Sequence, residues 1–233
     1  MTEKLTQGTS LQPGGKIKVG GNKVKTVQER LLENAAKPPT VVRRKVKESD
    51  YLSILSDASG SMGGIKLEHL KLALEKLSEN INFNITPVAM DSFPGGSPHV
   101  VRLQQAAKAY IEDLVAGGST PMASAMDRIM PMTARVILIS DGQPDSEDAV
   151  LERAHAWATR KIICDCLHIG AGKDGELLLK QVAEITGGMY FKFTDPIAFS
   201  QALHHLAPKN RASLESKSKE EIAGLLGAAE VIK

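Results

Sequence analysis

Tyr51-Leu52-Ser53-Ile54-Leu55-Ser56-Asp57-Ala58-Ser59-Gly60-Ser61-Met62-Gly63-Gly64 is an apolar run that stops at one carboxylate, two hydroxyls and a glycine pair. A short apolar run bounded by turn residues reads as a buried strand, here residues 50–56. Gly63-Gly64 then leads into a helix over about 65–80. In it Leu67, Leu70, Leu74, Leu77 and Ile81 recur at helical spacing and define one buried face. The strand therefore delivers Asp57, Ser59 and Ser61 into the loop ahead of a helix.

Strands and helices alternate from there. Residues 83–91 read as strand two, Asp91 to Gly96 as a turn, and His99 to Leu103 as a short strand paired back. Helices are predicted over 104–116 and 121–131, a strand over 134–140, a helix over 145–159 and a strand over 161–168. A helix over 173–186, a strand over 188–193 and a helix over 195–206 complete the series. This order predicts an α/β fold: a Rossmann-like, doubly wound, mostly parallel six-stranded sheet with one antiparallel edge strand and helices on both faces. Such sheets bind ligands beyond the carboxyl ends of the strands, where the strand order reverses.

Two further segments add oxygen donors at such ends. Thr120 lies in Gly117-Gly118-Ser119-Thr120-Pro121, opening a helix, and Asp141 in Ser140-Asp141-Gly142, after the apolar run Val136-Ile137-Leu138-Ile139. Asp57, Ser59, Ser61, Thr120 and Asp141 form a set of two carboxylates and three hydroxyls. These are hard ligands that suit Mg2+ or Mn2+ and not zinc, and they leave about one position of a roughly six-coordinate ion open to a partner.

The combination resembles the von Willebrand factor A, or integrin I-like, domain. The match runs through Asp57-Ala58-Ser59-Gly60-Ser61-Met62-Gly63-Gly64, Thr120-Pro121-Met122 and Ser140-Asp141-Gly142, within about residues 49–206. The resemblance implies a metal ion-dependent adhesion site (MIDAS) made by the same five side chains, with a partner's Asp or Glu completing the coordination. Gly-Gly-x-Thr-Pro and Ser-Gly-Ser-Met-Gly-Gly look most like intracellular prokaryotic members of tellurite-resistance-type, MoxR-associated and conflict-system operons. The implied function is a non-enzymatic, divalent-metal-dependent adaptor. The implied partner is a protein such as an AAA+ ATPase or an operon-encoded kinase, phosphatase or effector.

Enzyme alternatives lack their parts. No Gly-x-x-x-x-Gly-Lys-Ser/Thr occurs, Gly170-Ala171-Gly172 does not extend to a full Gly-x-Gly-x-x-Gly, and Ser59 stands where an Asp-x-Asp phosphatase would carry its second carboxylate. A metal-dependent hydrolase stays open as a third reading, one that needs a general base near the ion which no residue of the sequence identifies.

Charge is distributed unevenly. Residues 1–47 hold 11 Lys/Arg against 3 Asp/Glu, and the remainder 18 against 24. The arm containing Arg43-Arg44-Lys45-Val46-Lys47 makes nucleic-acid contact the second reading, although it lacks aromatics for stacking. Residues 1–48 read as a basic, flexible extension with a short helix opened by Thr26-Val27-Gln28-Glu29, and 49–207 as the domain. Residues 208–233 read as a linker and an amphipathic helix. That helix is opened by the capping box Ser218-Lys219-Glu220-Glu221 and carries Ile222, Leu225, Leu226, Ala229 and Ile232 as a stripe, which either packs back on the domain or docks elsewhere. No run is apolar enough to span a bilayer and the amino terminus is not a secretory signal, so a cytoplasmic protein without membrane contact is expected.

Other residues take structural readings. Asp145 is expected to cap the following helix, and His204-His205 to cap or solvate a helix end. His99 and His168 are read as structural, Trp157 as no binding platform, and Met122, Met126, Met130 and Met132 as core. Cys164 and Cys166 are expected to point to opposite faces of strand five and not to pair.

Overall fold

The computed structural model describes residues 51–142, 144–170, 173 and 175–233. Five parallel strands form its centre: β1 (Tyr51–Asp57), β2 (Val88–Phe93), β4 (Thr133–Ser140), β5 (Ile163–Ile169) and β6 (Tyr190–Phe193). Two short antiparallel strands flank them, β3 (His99–Val101) on β2 and β7 (Glu230–Ile232) on β6. The order is β3-β2-β1-β4-β5-β6-β7. The sheet thus has seven strands and two antiparallel edges, where the sequence predicted six and one. The added strand is β7, three residues too short to show a period.

Helices cover both faces. α1 (Ile65–Glu79), α2 (Gln104–Glu112) and α6 (Pro196–Ala202) lie on one side, with a 3-10 turn at Leu203–Leu206. α3 (Met122–Asp127), α4 (Glu147–Thr159) and α5 (Glu176–Thr186) lie on the other. Alternation along β4 sends Ile137 and Ile139 to the first core and Val136 and Leu138 to the second. All eight β4 residues are buried, and its centre, Val136-Ile137-Leu138-Ile139, reads as a continuous apolar run.

Sequence expectation and structure part in several places. Strand two begins at Val88 and not at residue 83, because the Ile85 and Thr86 N–H groups turn back onto the Asn82 carbonyl. Residues 208–215, expected as linker, are helix α7 (Pro208–Glu215), with Pro208 at its start and Arg211 and Leu214 buried on one face. The capping box at Ser218 forms, opening α8 (Lys219–Leu226), which Gly227 ends in the left-handed conformation at φ 63°. Ile222 and Leu226 pack into the first core, while Leu225 stays 48% exposed and Ile232 belongs to β7. The stripe therefore packs on the domain. Ile222→Ala is expected to cost about 2–5 kcal/mol, read as a lowered urea midpoint; a change below about 1 kcal/mol would contradict the packing.

Cys164 and Cys166 lie on the same face, Sγ to Sγ 3.7 Å apart, both buried and unbridged. Residues two apart on a strand share a face, so the expectation of opposite faces was incorrect. Met122 and Met126 are core residues, but Met132 is 74% exposed. Among the described residues, no helix is long and apolar enough to cross a membrane.

Candidate functional site

The order of strands fixes where the site lies. From β1 the chain moves outward to β2 and β3, then returns to the other side of β1 as β4. β1 and β4 are thus neighbours that lead away in opposite directions, which opens a crevice at their carboxyl ends. Ser56 stands beside Ile139 in the register, so Asp57 and Ser140 face one another one residue further on. The Ser140 hydroxyl donates to Asp57 Oδ2 at 2.6 Å, and the Ser59 backbone N–H donates to Asp57 Oδ1 at 2.8 Å.

From Asp57 the contacts run on without a break. Ser59 Oγ lies 3.0 Å from Ser61 Oγ, and the Ser61 hydroxyl donates to Asp141 Oδ1 at 2.9 Å. The Lys66 ammonium, in the first turn of α1, donates to Asp141 Oδ2 and, at 3.1 Å, to the Ser61 carbonyl. Four of the five sequence-predicted residues are therefore brought into one hydrogen-bonded chain.

Thr120 is not part of that chain; its backbone pairs with Asp145. Its N–H donates to Asp145 Oδ1 and its carbonyl accepts from Asp145 N–H, both at 3.0 Å. Asp145 is consequently not the helix cap; Ser146 takes that role, accepting from Ala149 N–H. The Thr120 loop is held against the β1 loop by Gly117 N–H to the Ala58 carbonyl at 2.8 Å and Gly60 N–H to the Gly118 carbonyl at 3.2 Å. Gly118 sits at φ 76°, and a Cβ there would meet Pro94 at 2.8 Å, so this approach requires glycine.

Burial shapes the electrostatics. It pushes the Asp57 carboxyl above the ordinary aspartate range; hydrogen bonds from Ser140 and Ser59 pull it back, and Asp141 nearby adds to the rise. Two carboxylates share the crevice, one fully buried, and a cation there would relieve both. Among the described residues no cluster of three or more His, Cys, Asp or Glu is placed to hold an ion. An ion at this site would therefore depend on the hydroxyls as well as the carboxylates, which fits an oxygen-preferring divalent cation.

Support comes from residues the sequence did not single out for it. Ser140 bridges Asp57 and the Gly142 N–H. His168, buried beneath the site, lies 3.3 Å from the Asp141 carbonyl through Nε2 and 3.1 Å from the Tyr190 hydroxyl through Nδ1. Burial holds its imidazole below the ordinary histidine range, as expected of a structural residue. Lys66 was missed because it lies in the first turn of α1, at the edge of the leucine face, and its partner Asp141 is far away in sequence. His204 Nδ1 meets the Gln201 carbonyl at 2.6 Å, in keeping with its capping reading. The basic segment Arg43–Lys47, the Thr26 capping box and part of Gly170-Ala171-Gly172 lie outside the described residues.

The doubly wound sheet, with Asp57 and Asp141 at its switch point, defines an α/β domain whose family the comparisons identify. A von Willebrand factor type A domain model matches residues 50–191. The chain belongs to the von Willebrand factor type A domain family. Comparison with curated protein sequences returned no match. Among solved structures, a von Willebrand factor type A protein from Catenulispora acidiphila aligns at TM-score 0.57 and 20% identity, over 70% of this chain and 42% of that one. The manganese-loaded TRAP protein of Plasmodium vivax aligns at 0.57 and 18%, over 71% and 75%. Proximal thread matrix protein 1 of the mussel byssus, with zinc occupying its MIDAS motif, aligns at 0.55 and 16%, over 70% and 48%. The match spans less than half the length of the Catenulispora and mussel proteins.

Proposed function

We propose that this domain is a divalent-metal-dependent protein-interaction module, not an enzyme, in which Asp57, Ser59, Ser61, Thr120 and Asp141 hold Mg2+ or Mn2+. The observation that carries the reading is the unbroken chain from Ser140 through Asp57, Ser59 and Ser61 to Asp141 at the switch point. When bound, the ion supplies an electrophilic centre that attracts a partner's Asp or Glu. Asp57 is fixed by two hydrogen bonds and buried, so its role is to orient the loop and supply charge. Ser61 and Thr120 lie nearer solvent, where a partner's side chain would approach.

The partner is a protein bearing an accessible carboxylate, of the ATPase, kinase, phosphatase or effector kind that a cytoplasmic prokaryotic setting would provide. The manganese-loaded and zinc-occupied relatives support a divalent site and make zinc a necessary comparison. Calorimetric titration with Mg2+, Mn2+ and Zn2+ is expected to show saturable binding that Asp141→Ala weakens at least tenfold. Partner capture is expected to fail in EDTA. Absence of saturable binding together with EDTA-indifferent capture would overturn the reading.

A further inference from the structure

We propose that Lys66 is a built-in counter-cation of this site, holding Asp141 in the metal-free protein and giving way when a divalent ion enters, so that it sets the metal affinity. The inference rests on the metal-binding reading above.

Its position argues for a dedicated role. Lys66 is the second residue of α1, where the positive end of the helix dipole disfavours a cation. It is placed there against local electrostatics, and what it gains is Asp141 Oδ2 and the Ser61 carbonyl. Both contacts are to metal-site residues. The ammonium thus ties the β1 loop to the β4 loop across the crevice that an ion would occupy.

Exposure of the two partners is unequal. The Lys66 side chain is 33% exposed and that of Asp141 only 6%. The lysine can swing into water on its four-carbon stem while the carboxylate stays in place. One Asp141 carboxylate cannot fully serve two cations. A single and a double positive charge about 5 Å apart, even in a solvent-like medium, repel enough to weaken binding roughly tenfold. The same ammonium offsets the repulsion between Asp57 and Asp141 when no ion is present, keeping the loops assembled. Metal entry is then an exchange of one cation for another, not the filling of a preformed hole.

The test titrates Mn2+ and Mg2+ calorimetrically into the wild-type chain, Lys66→Gln and Lys66→Met, and melts all three in EDTA and in saturating Mn2+. The expected result is about tenfold tighter Mn2+ binding by both variants. In EDTA the variants melt below the wild type, and in saturating Mn2+ the gap closes or reverses. Saturable binding of unchanged or weakened affinity in the variants overturns the Lys66 inference alone and leaves the metal reading standing. Unchanged melting in EDTA also overturns it, since the ammonium would then clamp nothing. No binding by any form overturns both readings.

Discussion

Asp165→Ala is expected to destabilise the domain by about 3–5 kcal/mol, the cost of removing one partner from a buried ion cluster. Asp165 is fully buried on β5 and holds two guanidinium groups. Arg135 Nε donates to its Oδ2 at 2.8 Å, and Arg211 reaches Oδ2 and Oδ1 through Nε and Nη2 at 2.9 Å each. The Met189 N–H adds a fourth bond, 2.9 Å to Oδ1. Arg135 is 1% exposed and would be left without its carboxylate partner, while Arg211, 5% exposed, would keep only Glu215. Burial alone would raise the Asp165 carboxyl, but Arg211 and Arg135 more than offset it and hold it well below the ordinary range. A carboxyl so lowered contributes stability above its unfolded value near 3.9, and that contribution is lost as pH falls. The wild type should therefore lose stability steeply below about pH 4, and Asp165→Ala should show a flatter acid limb. Urea unfolding from pH 3 to 7 measures both. Joint replacement of Asp165, Arg135 and Arg211 by apolar residues of similar volume should recover much of the loss. A loss below about 1 kcal/mol for the single variant would refute the account.

That cluster lies in β4, β5 and α7, and its invisibility in the sequence has a physical cause. Arg135 and Asp165 each sit within an apolar strand, 30 residues apart, and nothing local pairs them until β4 and β5 come into register. Arg211 lies in a Lys- and Ser-rich stretch that reads as linker, because only it and Leu214 face inward there. The helical face of α1 and the buried run of β4 were legible because many residues repeat the same signal. Asp57 and Asp141 were legible because each stands at the carboxyl end of an apolar strand, and a parallel sheet brings its strand ends together. The hydrogen bond between Thr120 and Asp145 was not, since it depends on how two loops meet. Lys66 was hidden for a similar reason: a lysine in a helix carries no mark of its partner 75 residues away.

Asp57→Asn is expected to abolish the response of the domain to divalent ions while leaving the metal-free fold at least as stable. Asp57 is 0% exposed, and its carboxyl is raised because burial disfavours its charge more than Ser140 and Ser59 favour it. A carboxyl raised in the folded state contributes stability below its unfolded value and loses it as pH rises through the folded one, so at neutral pH the charge is a burden. The amide removes that burden and keeps the geometry. Its oxygen can accept from the Ser59 N–H, and its NH2 can donate to the Ser140 hydroxyl, which both donates and accepts. What it lacks is the charge on which the proposed ion site depends. Ligand-linked stabilisation at about 100 times Kd is about 2.7 kcal/mol, corresponding to roughly 5–10 °C in a domain of this size. The wild type should show that rise in Mn2+ by differential scanning calorimetry, and the variant none. The comparison separates structure from function at one atom pair: a variant that melted far below the metal-free wild type would make Asp57 a fold residue first, and one that kept the Mn2+ rise would remove it from the ion.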